Sequence, residues 1–240
     1  MKKTVLVIIM VATIAWSVRA ATEVEKTGKA AEAETDVGLK TFAKDAPAVE
    51  LIPDPAKVTF EKFESPEGKF SASVPAGWDR ITSYPYKIDD KVNGIMLQGP
   101  ENMEGAPMTI SVLHYAGTGS IDGPQNYIRM VLSNPTRTDA DQEIKFTDFE
   151  VAGIKGTTFT FKKFHLVMLP FDAPPMKEGV MYEMAPPTRK VNMTVRYVVI
   201  RAKKGEPAFY SFSYEAPDDM YGDFSPVFDT VVNSFVLEKK

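Results

Sequence analysis

The sequence contains no cysteine, and in 240 residues it has only two histidines and two tryptophans. Without cysteine there is no disulfide framework, no thiolate zinc site and no lipid-modified cysteine behind a leader. His114 and His165 lie on separate stretches, and no G-x-S-x-G elbow or catalytic cysteine accompanies them. Basic charge is in deficit as well, since 28 Lys and Arg face 32 Asp and Glu for a net of −4. A chain with that balance has no overall attraction for phosphate backbones or anionic lipid, so nucleic acid is excluded as a partner. Long apolar runs are also missing. The run from Val5 to Trp16 is shorter than the ~20 residues a membrane-spanning helix needs.

That run follows Lys2 and Lys3 and leads to Val18 and Ala20, small residues three and one positions before Ala21. This is the pattern of a secretory signal peptide over residues 1–20, cleaved before Ala21. The mature chain is expected to be exported to the periplasm or beyond, with no stable membrane span; retention of the segment as an anchor is the alternative. Cleavage leaves 25 basic groups against the 32 acidic ones. Residues 21–57 are rich in Ala, Glu and Lys, with Pro47, Pro53 and Pro55 near the end and few large apolar residues. Such a segment cannot bury enough surface to offset its ordering entropy, and a disordered linker is expected there. Residues 58–240 are enough for one domain with a sound core.

Within that domain, the stretch FSASVPAGWD (70–79) sets Phe70, Ala72 and Val74 on one face and Ser71 and Ser73 on the other, a half-buried strand. It ends at a turn with Pro75 and Gly77, and Trp78 then carries a large apolar surface that needs cover. Further strands are expected at about 94–98, 108–115, 145–151, 156–168, 191–200 and 208–214, and a short one at 235–237. In the run 156–168 the apolar phase slips at Lys162 and Lys163, which points to a bulge or to a second half covered on its opposite face. Two helices are legible. One starts at Asp122 or Gly123 with Pro124 in its first turn, shows the stripe Tyr127, Ile128, Val131 and Leu132, and stops at Asn134-Pro135. The other is capped by Ser225, opens at Pro226, and repeats Phe228, Val231, Val232 and Phe235 at helical spacing. Consecutive antiparallel strands with two or three helices make an α+β layered domain.

Motifs with chemical potential are few. AGTGSIDG lies between a strand and a helix, but Asp122 occupies the third glycine position of a dinucleotide fingerprint and the βαβ context is missing; a turn into a helix is the simpler reading. Asp139, Asp141 and Glu143 form a D-x-D-x-E run whose carboxylates could converge on calcium, although the glycine of an EF-hand loop is absent; a solvated acidic turn is the competing reading. The segment 169–190 is a Pro- and Met-rich insertion in which Phe171, Met176, Met181, Tyr182 and Met184 are adaptable apolar side chains on a stiffened loop, suited to recognising a partner. Met181-x-x-Met184 also suits Cu(I), and a plain surface loop is the third reading.

GKFSASVPAGWD together with AFYSFSYEAP and FSPVFDTVVNSFVL resembles the PsbP-like superfamily, which includes the photosystem II accessory protein PsbP and exported bacterial relatives such as DcrB. The resemblance spans most of residues 60–240, except the insertion. It implies an α-β sandwich around a central antiparallel sheet, no catalytic residues, no cofactor, and docking to a larger assembly; a photosynthetic host is not implied by these motifs, and some family members influence calcium retention. The expected function is an exported non-catalytic accessory protein that docks to an envelope protein. A binding module for a small apolar ligand or divalent cation is the alternative, and an unrecognised hydrolase the third.

Overall fold

The computed structural model of the chain describes residues 53–66, 69–81, 92–118, 121–170, 186–203 and 205–238. These lie in the unit Glu50–Lys240. The expected signal peptide, nearly all of the expected linker and the core of the insertion lie outside the described residues. At the linker's end, Asp54 accepts from Ala56 N at 3.0 Å and closes a 3₁₀ turn over Pro55–Lys57.

Two antiparallel sheets form the described frame. The smaller is built from β1 (Phe60–Glu64), β2 (Phe70–Pro75) and β10 (Val236–Leu237), with β2 in the middle. The larger contains β3 (Asp79–Arg80), β4 (Val92–Glu101), β5 (Pro107–Tyr115), β6 (Thr147–Val151), β7 (Ile154–Met168), β8 (Thr188–Arg201) and β9 (Phe209–Pro217) in the order β3-β4-β5-β9-β8-β7-β6. Two helices complete it, α1 (Pro124–Leu132) and α2 (Tyr221–Asn233). The expected α+β class and central antiparallel sheet are what the structure has.

The side-chain alternation of β9 explains why both faces of the large sheet are covered. Tyr210, Phe212 and Tyr214 point to one face, where they bury against Phe224, Phe228, Val231 and Val232 of α2 and against Phe70 and Val74 of the small sheet. Phe209, Ser211 and Ser213 point to the other, which α1 covers with Tyr127 and Ile128. Fully burying side chains of this size contributes about 1.5–3 kcal/mol each, so the aromatic layer under α2 dominates stability. Trp78 packs at the margin of that layer, with its ring over Gly99, where a Cβ would come within 2.7 Å of the indole. The Pro-x-Gly-Trp turn therefore folds the chain from the small sheet onto the large one.

Two local expectations change. The register between β7 and β8 runs without a shift from Gly156↔Ile200 to Met168↔Thr188, so there is no bulge at the lysines. Instead Lys163 continues the inward phase of Phe159 and Phe161 and reaches Glu215, while Leu166 and Met168 stand on the opposite face and are exposed. Helix α2 begins one turn before Ser225, at Tyr221, and contains Pro226; no side chain caps it. Burial of Phe224 and the hydrogen bond from Tyr214 Oη to Tyr221 O at 3.0 Å hold that extra turn despite the missing proline N–H. Helix α1 opens as expected, with Gly123 at its N-cap and Pro124 in its first turn, and Asp122 accepts from Asn126.

Candidate functional site

The acidic run does not gather. Asp139 is buried, and its carboxylate accepts from Arg137 Nε at 3.0 Å and from Lys162 N at 2.8 Å, with Arg137 almost as enclosed. Arg137 also donates to Leu132 O and Asp139 O, so the pair ties the end of α1 to β7. Asp141 and Glu143 are exposed. Among the described residues no cluster of three metal-ligating side chains forms.

The histidines sit on opposite faces of the large sheet. His114 shares the α2 face with Val112 and packs at 5.0 Å from the Tyr210 ring. His165 shares the other face with Lys163; burial lowers its basicity below the ordinary value of 6.5 and the neighbouring Lys163 lowers it further, against opposing pulls from Glu215 and Glu101. The AGTGSIDG loop is spoken for at Gly117, whose left-handed backbone (φ 70°) lies so close to Pro207 that a Cβ would meet its carbonyl at 2.4 Å.

Between α1 and the sheet lies a cleft of about 420 Å³. Its floor is polar: Ser111 and Ser213 share a 2.6 Å hydrogen bond, and Lys163 pairs with Glu215 at 2.5 Å. Its walls are aromatic, with Tyr115, Tyr127, Tyr197 and Phe161. Ser211 donates to Tyr127 Oη at 3.0 Å, and Tyr127 is in turn hydrogen-bonded to Tyr115. Burial pushes the Tyr115 and Tyr127 hydroxyls above their ordinary value of 10, so both stay protonated. None of the serines stood out in the sequence. Their signal was a strand alternating large aromatics with serine, which leaves room on one of two covered faces.

The second feature is a projecting ribbon. β9 pairs with β8 only as far as Met193, and β6 pairs with β7 only over 154–158, so 164–168 and 188–192 run on as two strands. Phe164, Leu166 and Met168 share one face there. Leu166 is 48% and Met168 72% exposed, and Lys190 Nζ lies 4.5 Å from the centre of the Phe164 ring. The ribbon leads into the insertion. Phe171, Met176, Met181, Tyr182 and Met184, the expected partner contacts, lie outside the described residues.

No family model matches the chain, and no curated protein matches it. Among solved structures it is similar to the Ran-binding protein Mog1p of Saccharomyces cerevisiae, at 11% identity and a TM-score of 0.40, over 76% of this chain and 97% of that one. It is also similar to cyanobacterial PsbP (CyanoP) from Synechocystis sp. PCC 6803, at 14% identity and a TM-score of 0.37, over 81% of this chain and 98% of the other. A third is LpqN, involved in cell envelope biogenesis of Mycobacterium tuberculosis, at 13% identity and a TM-score of 0.37, over 76% and 92%.

Proposed function

We propose that the chain is an exported, non-catalytic accessory protein that docks to another protein of the cell envelope through the projecting end of β7 and β8. The observation that supports this reading most is the row Phe164, Leu166 and Met168, apolar side chains on a strand that extends past the cover of α2. Burial against a partner would stabilise a complex by about 1.5–3 kcal/mol for each side chain fully covered. The insertion that follows supplies further apolar contacts in this reading, from Phe171, Met176, Met181, Tyr182 and Met184. Export rests on the signal-like residues 1–20 with cleavage before Ala21, and the periplasm or an extracellular space is the proposed location. A photoreactive amino acid placed at Leu166 in the host cell should crosslink to a discrete envelope protein, while the same group at Asp79, on the far edge strand, should not. Equal labelling from both positions would remove the ribbon from the proposal.

The cleft beside α1 supports a second reading, a module that holds a small molecule. Its volume is within the ~300–1,000 Å³ typical of ligand sites. Its one pair of opposite charges is internally neutral, which suits an uncharged ligand with both polar and apolar surface and departs from the purely apolar ligand or divalent cation first considered. Mass spectrometry under native conditions on protein from its own host tests this. A ligand that leaves on Ser213→Trp substitution supports the second reading, and a bare mature mass opposes it.

A further inference from the structure

The outer edge of β7 has a property that side-chain exposure alone does not convey. Main-chain hydrogen bonds show which residues point outward: Phe164 N donates to Thr136 O at 3.0 Å, and Lys162 O accepts from Thr138 N at 2.9 Å. Leu169 N, of odd number, instead donates to Pro187 O on the β8 side. By the alternation of an antiparallel strand, the N–H and C=O of Leu166 and Met168, and the C=O of Phe164, therefore face away from β8. After the Arg137↔Lys163 bridge no described residue pairs with this edge. Open main-chain groups and exposed apolar side chains coincide at Leu166 and Met168. Proteins ordinarily blunt such an edge or use it.

Charge indicates what it accepts. β7 and β8 carry Lys155, Lys162, Lys163, Arg189, Lys190, Arg196 and Arg201 and not one acidic residue, in a chain whose net charge is −4. Lys162, Lys163, Arg189 and Arg196 are paired with Asp218, Glu215, Glu104 and Asp229. Lys190 has no ion pair among the described residues, and its ammonium lies over the ring of Phe164 on β7. A second copy of the chain would bring another basic ribbon against it. Resting on the docking function proposed above, we infer that the β7 edge at 164–168 takes an extended, acidic segment of a partner polypeptide as an added strand. Apolar residues of that segment would lie beside Leu166 and Met168, and a carboxylate would meet Lys190.

The probe is a fluorescein-labelled heptapeptide, Thr-Val-Thr-Val-Thr-Glu-Thr, whose two Val and one Glu share the face that Leu166, Met168 and Lys190 share, titrated into the full chain. Saturable binding is expected, with slowed amide exchange at Leu166 and Met168 and little change at Val167, whose N–H already faces β8. N-methylation of one alternate set of peptide amides should abolish binding and N-methylation of the other set should not. Leu166→Pro removes an outward N–H and spares the β8 ladder, so it should weaken binding about tenfold or more. Met168→Pro serves the same purpose if the first variant loses its thermal transition. Binding that tolerates both methylation patterns, equal binding of the same peptide with Lys in place of its Glu, self-association through this edge, or no peptide binding would each overturn strand addition. If Leu166 still crosslinks to an envelope protein in those cases, docking stands and only the strand mode falls; loss of the crosslink removes docking itself.

Discussion

Asp139 is legible in the sequence as an acidic residue but not as a partner, because Arg137 and the amide of Lys162 come to it through the fold. Removing it would leave the enclosed Arg137 guanidinium without its counter-charge. Asp139→Ala is therefore expected to cost about 3–5 kcal/mol in urea unfolding, and added calcium should not restore it. Gly117 carries a similar lesson, since its glycine reads as loop flexibility and serves close approach to Pro207. Gly117→Ala combines a strained left-handed backbone with that contact, and a loss of about 2 kcal/mol is expected by the same assay. His165 brings a pH dependence. The folded protein binds its proton less readily than the unfolded chain, so unfolding is favoured as pH falls through 6.5, and the contribution is fully present above that value. Stability compared at pH 7.5 and 5.5 should show a drop that is smaller in His165→Gln; an equal drop in both would assign it to other groups.

At the scale of elements, FSASV and AFYSFSY are legible as strands because large apolar residues alternate with serine, although both faces of each strand are covered, Ser71, Ser211 and Ser213 included. β1 escaped notice since only Phe63 of its five residues is buried, and β3 is two residues long. The misplaced start of α2 came from treating Ser225-Pro226 as a helix opening, where packing of Phe224 and Tyr221 overrides local preference. The phase slip in β7 had a different cause again. Leu166 and Met168 are apolar and exposed and Phe164 is half-buried under Lys190, so the pattern that suggested a bulge marks the stretch proposed for docking. Leu166→Glu and Met168→Glu are accordingly expected to change stability by no more than about 0.5 kcal/mol, and Met168→Glu to abolish the envelope crosslink from position 166. A large loss of stability in either would show that these side chains are structural.

For the molecule as a whole, the large sheet is used unequally on its two sides. One face is filled by aromatic rings beneath α2 and the small sheet; the other holds serines, tyrosines and a cleft beneath α1; and the β7–β8 end runs past both helices, with Val167 and Val191 packed on Ala106 and Leu166 and Met168 exposed. The class of fold was readable because each layer leaves its own periodicity. The cleft was not, because Ser111, Ser213, Lys163 and Glu215 come from four strands and meet only when the sheet is assembled. The most direct test of docking is in-cell photocrosslinking from position 166 with position 79 as control. A single envelope protein labelled from 166, and lost on Met168→Glu, is the expected result. No product at 166, or the same products from both positions, would contradict docking through the ribbon.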